Sequence, residues 1–323
     1  MAETWLVIFG TATIADGEIR HTAPTQLSPP SGPTPPVVPY SLVRSSGEFE
    51  QGVISWEAKL GDPTAACQVG LATQNTVDGD VTSQPTDTFS GTVPAAEFFA
   101  GLNILGNPYG FATRRGSQWT PAGGAGHGTA LPTDEWISLS LVVRGSSVEL
   151  KINGVRVITA TQTIQKGPVS VYLQSASHCA IRNVQIKSSA PVCFVVMQFT
   201  DEYNALFKEV IRPVCASYGY EVIRGDDFYT SGQIIEDITR SIRESALIIA
   251  DVTPDNANVF YEVGYAHGIG KPTILLSDRK RDKLPFDIAG FRTLFYDNTI
   301  SGKGAVEERL KKHLDGLRSG GTG

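Results

Sequence analysis

Residues 250–271 read ADVTPDNANVFYEVGYAHGIGK, and the way this stretch folds decides the carboxyl-terminal half of the chain. The apolar run 246–250 fits a buried parallel strand that closes on Asp251, and Thr253-Pro254-Asp255-Asn256 breaks it with turn-forming residues. Val259, Val263, Ala266 and Gly270 then recur at helical spacing, which predicts a helix with those residues toward the core. Glu262 lies off that stripe, near the helix start. Ligands of open α/β sheets bind beyond the carboxyl ends of the strands, so a carboxylate here stands where a substrate would lie. The helix N-terminus also favours its ionised form. A solvated surface glutamate is the alternative.

The alternation of strand and helix continues on both sides. Residues 193–199, CFVVMQF, form an unbroken apolar run, as a central strand covered on both faces requires. Residues 201–217 are amphipathic through Leu206, Val210 and Val214, and 220–223 read as a strand ending in Arg224-Gly225-Asp226-Asp227. A helix is expected over 231–245 with Ile234, Ile235, Ile238 and Ile242 inward, strands over 272–276 and 293–296, and a last helix over 305–317. Five strands with crossover helices predict a doubly wound, flavodoxin-like parallel sheet in the order 2-1-3-4-5.

Ser188-Ser189-Ala190-Pro191 marks the boundary, a short link between two β-rich runs. Upstream of it, from residue 47, short apolar runs such as GVISWEAKL, CQVGLATQ, WISLSLVVRG and VSVYLQS are separated by Gly, Pro, Asn and Asp, the pattern of an all-β domain. Asn153-Gly154 between two such runs fits a two-residue hairpin turn. Proline density over 24–39 excludes helix and central strand there. The domains are therefore 1–189, all-β, and 191–318, α/β, with a glycine-rich tail, 319–323, expected to be disordered.

The 323 residues carry 27 Lys/Arg against 33 Asp/Glu, a net charge of −6. Neither half is basic, which argues against nonspecific nucleic-acid binding, since that depends on clustered cations. Cys67, Cys179, Cys193 and Cys215 show no metal-type spacing, so no structural zinc and no cofactor is expected. The first residues lack the basic and apolar regions of a signal peptide, and no apolar run is long enough to span a bilayer. A cytoplasmic protein without a membrane partner is expected.

In the all-β half, the succession 136–143, LKINGVRV, GPVSVYLQS and IRNVQIKS resembles the concanavalin A-like, laminin-G-like jelly-roll sandwiches. That resemblance implies a sugar- or ligand-binding face, or a docking and assembly role. Trp56, Trp119, Trp136, Tyr109 and His127 are the candidates for an aromatic sugar platform, with core packing as the alternative for Trp56 and Trp136. Trp119 and His127 are expected in a flexible loop around the glycine-rich stretch 121–128.

In the second half, CFVVMQF, Asp226-Asp227, SGQIIEDITRSI, ADVT, NANVFYEVGYAHGIGKP and LPFDI, taken in order, resemble the bacterial Toll/interleukin-1 receptor (TIR)-like proteins and the related nucleoside 2-deoxyribosyltransferases. The resemblance implies that Glu262 faces the anomeric carbon of a ribosyl group and stabilises or captures an oxocarbenium-like state. It implies an NAD+ glycohydrolase releasing nicotinamide, used as an antiphage defence effector and controlled by oligomerisation or by a sugar or nucleotide signal at the sandwich. NAD+ enters as substrate, not cofactor, and a homo-oligomer is implied. A nucleoside N-glycosidase or deoxyribosyltransferase is the first alternative; a noncatalytic scaffold is the second. Gln198, Phe199, Asp226, Asp227, Ser231, Gly232, Asp251, Asn258 and Tyr261 are the expected substrate-binding rim. The deoxyribosyltransferases present a tyrosine where this chain has Phe199, which counts against simple deoxyribosyl transfer.

Overall fold

The computed structural model describes residues 3–24, 38–73, 96–225, 234–281 and 283–318. The chain divides into two compact units: residues 1–143 with 147–189, and residues 144–146 with 190–323.

The first unit is a sandwich of two seven-stranded sheets. Along the chain the strands are β1 (Trp5–Phe9), β2 (Thr13–Ala15), β3 (Glu18–Thr22), β4 (Tyr40–Phe49), β5 (Gly52–Leu60), β6 (Ala66–Ala72) and β7 (Glu97–Ile104). They continue with β8 (Asn107–Arg115), β9 (Gln118–Ala125), β10 (Trp136–Arg144), β11 (Ser147–Ile152), β12 (Val155–Thr161), β13 (Gly167–Gln174) and β14 (His178–Ser188). One sheet runs β1-β4-β13-β6-β7-β8-β9 and the other β12-β11-β10-β5-β14-β3-β2. Period-two patterning sets which side chains meet between them. On β5, Ile54, Trp56, Ala58 and Leu60 are buried while Val53, Ser55, Glu57 and Lys59 alternate outward. They pack on Phe98, Phe111, Leu139, Leu150 and Val171 in one core, each large side chain contributing about 1.5–3 kcal/mol by burial. Asn153 and Gly154 both have positive φ, 49° and 80°, between β11 and β12, as the predicted hairpin turn requires.

Two expectations in this unit are corrected. Trp119 is not in a loop: it lies on β9, an edge strand that pairs with β8 through one register shift and takes Gly123 and Gly124 of the 121–128 stretch into its ladder. Trp136 is not core. It lies half-buried on the outer face of the second sheet, with the Lys59 ammonium 4.9 Å and the Arg182 guanidinium 4.0 Å from its ring centre.

The second unit is a five-stranded, wholly parallel sheet of β15 (Val192–Val196), β16 (Glu221–Arg224), β17 (Leu247–Asp251), β18 (Thr273–Asp278) and β19 (Thr293–Tyr296). Its order, β16-β15-β17-β18-β19, is the expected 2-1-3-4-5. Both faces are covered, which explains the unbroken apolar run at its centre. Cys193 and Val195 of β15 join one core with Phe207, Val210, Leu310 and Leu314; Phe194 and Val196 join the other with Ile242, Val259, Val263 and Ala266. The crossover helices include α3 (Ile234–Glu244) and α4 (Ala257–Gly268), and α5 (Ile300–Arg318) follows the last strand. The amphipathic stretch 201–217 is not one regular helix. Helical turns α1 (Asp201–Leu206) and α2 (Arg212–Ser217) flank a wider π-helical segment at Phe207–Ile211. Pro213, at the start of α2, has no N–H to give to the ladder, and the looser segment precedes it.

Candidate functional sites

At the carboxyl rim of the parallel sheet, Asn256 caps α4, its side chain accepting from the Asn258 N–H at 3.0 Å. Glu262 follows in the second turn of α4, half-buried, with no hydrogen bond or ion pair among the described residues. Burial pushes its carboxyl up to about 7. The expected stabilisation of its charge by the helix terminus is therefore outweighed: that field fades within the first turn, and desolvation penalises the anion directly.

Asp251 is fully buried at the end of β17. Its carboxylate accepts from the Tyr296 hydroxyl at 2.6 Å and from the Thr253 N–H at 2.9 Å. Thr253 Oγ1 in turn accepts from the Asp278 N–H at 2.9 Å, and Asp278 accepts from the Lys280 N–H. This network ties the ends of β17, β18 and β19 together. Burial pushes Asp251 up to about 7 against the lowering effect of these donors.

Phe199, 51% exposed, carries the Arg224 guanidinium 5.1 Å from its ring centre, and Gln198 beside it is half-buried. Tyr261 and Asn258 are exposed on α4. His267 stacks on Phe291 with ring centres 4.0 Å apart. Asp226, Asp227, Ser231 and Gly232 lie outside the described residues. Arg281, which the sequence did not single out, donates to the Val252 carbonyl at 2.5 Å and pairs with Asp255, holding the turn before α4.

A second candidate lies on the outer face of the first sandwich sheet. Leu42, Arg44, Gln68, Glu97, Phe99, Ser170 and Tyr172 alternate away from the core on neighbouring strands β4, β13, β6 and β7. Glu97 accepts from Ser170 Oγ at 2.5 Å and pairs with Arg44 at 3.2 Å. Beside this cluster the Trp119 ring centre lies 4.9 Å from Phe99 and 5.2 Å from Tyr172, and Tyr172 stacks on Tyr40 at 5.2 Å. The face needs a small residue on β6: a Cβ at Gly70 would stand 2.4 Å from the Phe99 ring. Gln68, paired across the ladder with Tyr172 and Gly101, is 4% exposed; its amide donates to the Asn103 carbonyl at 3.4 Å, while its Oε1 is buried with no partner among the described residues.

Of the five residues expected as a sugar platform, this face gathers only Trp119. Trp56 belongs to the core, Tyr109 packs on that core, Trp136 is on the other sheet, and His127 is exposed beyond β9. Gln68, Glu97, Arg44 and Ser170 were missed, although a polar residue inside the otherwise apolar CQVGLA run was a visible signal. Among the described residues no three His, Cys, Asp or Glu side chains converge as a metal site would require, and no helix is long and apolar enough to cross a membrane.

No protein-family profile matches the chain, and no curated protein matches it in sequence. Solved structures do resemble it. A carbohydrate-binding module, CBM66, from Bacillus subtilis aligns at 11% identity and TM-score 0.40, over 56% of this chain and 92% of that one. A Bacillus subtilis protein of unknown function with a galectin-like fold aligns at 13% identity and TM-score 0.39, over 56% and 87%. The Bacillus licheniformis beta-glucanase aligns at 14% identity and TM-score 0.35, over 56% and 89%. These are likenesses of fold alone. The expectation of an NAD+ glycohydrolase is corrected and not carried forward: no family profile and no curated protein matches the chain, and none of the solved structures named here is such an enzyme.

Proposed function

We propose that the sandwich unit binds a carbohydrate on the outer face of its first sheet. The observation that supports this is the half-buried Trp119 ring, set against the Phe99 and Tyr172 rings. Arg44 supplies a partly exposed donor on the same face, and the apolar face of a sugar ring stacks on an aromatic ring. The test is binding of the intact chain to an oligosaccharide array, followed by calorimetry on the glycans retained. Trp119→Ala is expected to weaken binding by about tenfold, the equivalent of about 1.4 kcal/mol, with an unchanged far-ultraviolet spectrum. An array without a single retained glycan, or binding indifferent to Trp119→Ala, removes the proposal.

For the second unit we propose a flavodoxin-like domain of the TIR-like and deoxyribosyltransferase-like kind, supported by its strand order, with the boundary near residue 190. Glu262 is proposed as its acid–base group, supported by a carboxyl without a partner among the described residues, whose burial brings its ionisation near neutrality. Gln198, Phe199, Asn258 and Tyr261 are proposed as the surrounding rim. No reaction is assigned to it.

A further inference from the structure

The outer face of the second sandwich sheet carries a tryptophan on whose ring two cations converge. Trp136 of β10 is the cross-strand partner of Lys59 on β5, and the neighbouring row runs from Ser138 through Glu57 to Arg182 on β14. The Lys59 ammonium lies 4.9 Å and the Arg182 guanidinium 4.0 Å from the centre of the half-buried indole. An irregularity in β14 holds the arrangement. Its ladder to β5 shifts register between Arg182 and Gln185, and Asn183 at that bulge has φ 53°. Arg182 Nε and Asn183 Nδ2 thereby donate to the same oxygen, Oε2 of Glu57, at 2.6 and 3.1 Å.

The bonds that fix the guanidinium leave its outer edge free. Arg182 gives the protein only its Nε, so neither Nη has a partner among the described residues, and Lys59 makes no hydrogen bond or ion pair among them. The carboxylates on the strands of this sheet are already engaged: Glu18 with Arg20 at 2.6 Å, Glu149 with Lys151 at 3.1 Å and Glu57 with Arg182. In the bend before β10, Asp134 is held by His178 at 3.1 Å and Glu135 is exposed. Lys59 and Arg182 therefore repel each other across one ring with only Glu57 bound between them, and an anion at their free donors would relieve that repulsion.

We propose that Trp136, Lys59 and Arg182 form a second ligand site, separate from the face of the first sheet, and that its ligand is a carboxylated sugar, a uronate unit of an acidic polysaccharide. The sugar carboxylate meets the free Nη edge of Arg182 and the Lys59 ammonium, the charge-assisted contact for which a fixed guanidinium is preorganised. The apolar face of the sugar ring lies on the exposed part of the indole. A neutral sugar leaves the converging cations unneutralised. A nucleic acid is the poorer match: its closely spaced phosphates bind through clustered, unopposed cations, whereas here Glu18, Glu57 and Glu149 interleave with the cations and the chain carries a net charge of −6.

The experiment titrates the full chain in a calorimeter with oligogalacturonate, oligoguluronate and hyaluronan fragments, with the carboxyl-reduced, neutral form of each, and with a single-stranded oligodeoxynucleotide. At least one uronate is expected to bind, about tenfold tighter than its neutral form and more weakly as salt is added. Trp136→Ala and Lys59→Gln should each weaken that binding by about tenfold. Should Trp136→Ala not fold, Lys59→Gln decides, since Lys59 makes no hydrogen bond or ion pair among the described residues. Absence of binding to every uronate, equal affinity for the neutral form, or binding indifferent to Lys59→Gln overturns the proposal. Tighter binding of the oligodeoxynucleotide overturns the ligand class. Uronate binding lost in Trp119→Ala and kept in Trp136→Ala overturns the location and places the acidic sugar on the first sheet.

Discussion

Replacing Asp251 by Asn should remove a pH-dependent weakness of the parallel-sheet unit. Asp251 is fully buried, and its carboxyl is raised by burial from 3.8 to about 7. A folded pKa above the unfolded one means the native state holds the proton more tightly. The associated stability is fully present below about 3.8 and is lost as pH rises through about 7. A span of roughly 3 pK units at about 1.4 kcal/mol each gives about 4 kcal/mol, an upper bound because the buried site relaxes when it ionises. Asn keeps an oxygen to accept from the Thr253 N–H, its NH2 in place of the second oxygen can donate to the Tyr296 hydroxyl, and it cannot ionise. The fold separates the signals for the assay. All four tryptophans, Trp5, Trp56, Trp119 and Trp136, lie in the sandwich, while every helix among the described residues lies in the second unit. Urea unfolding followed by far-ultraviolet circular dichroism therefore reports mainly the second unit, and tryptophan fluorescence the first. Between pH 4 and pH 7 the helical transition of the unmodified chain should fall to lower urea, and that of Asp251→Asn should fall distinctly less. Equal slopes in the two proteins would refute the assignment of a buried, proton-binding carboxylate at this position.

Lys271 titrates in the opposite sense. Burial lowers it from 10.5 to about 7, with its ammonium donating to the Ser245 carbonyl, so the native state binds that proton less tightly than the unfolded chain. The stability it withholds at neutral pH should return as pH rises from about 7 to about 10.5; Lys271→Met should stabilise the unit by about 1–3 kcal/mol at pH 7 and flatten this alkaline gain in urea titrations. Glu262 should titrate near pH 7 in a carboxyl-selective NMR experiment assigned by the signal lost in Glu262→Gln, and a midpoint in the ordinary glutamate range would remove it as an acid–base candidate.

Much of the architecture was legible because each half writes its period openly. GVISWEAKL alternates at period two and folds as β5 with every second residue inward; CFVV does not alternate and folds as a strand buried on both faces. The Asn153-Gly154 turn was local chemistry, carried by two residues that tolerate positive φ. The irregular segment before Pro213 escaped the helical pattern because Leu206, Val210 and Val214 satisfy it without the backbone ladder being regular.

The candidate sites were less legible, and Asp251 shows why. From the sequence it was a carboxylate at a strand end, as available to a ligand as Glu262; only the packing of β19 beside β18 brings Tyr296 onto it and closes it from solvent. Trp119 was visible as an aromatic, but not its partners, since Phe99 and Tyr172 come from β7 and β13, two and four strands away from β9 in the sheet.

The sequence by itself determined the two-part organisation, the strand and helix periods, the parallel-strand order and the position of Glu262 on its helix, because these depend on propensity and patterning along the chain. The tertiary structure alone decided which polar groups are desolvated, which carboxyls titrate near neutrality and which sheet face gathers Gln68, Glu97 and the aromatic rings. Those properties depend on distances between residues far apart in sequence and on exclusion of water, and neither is written in local order.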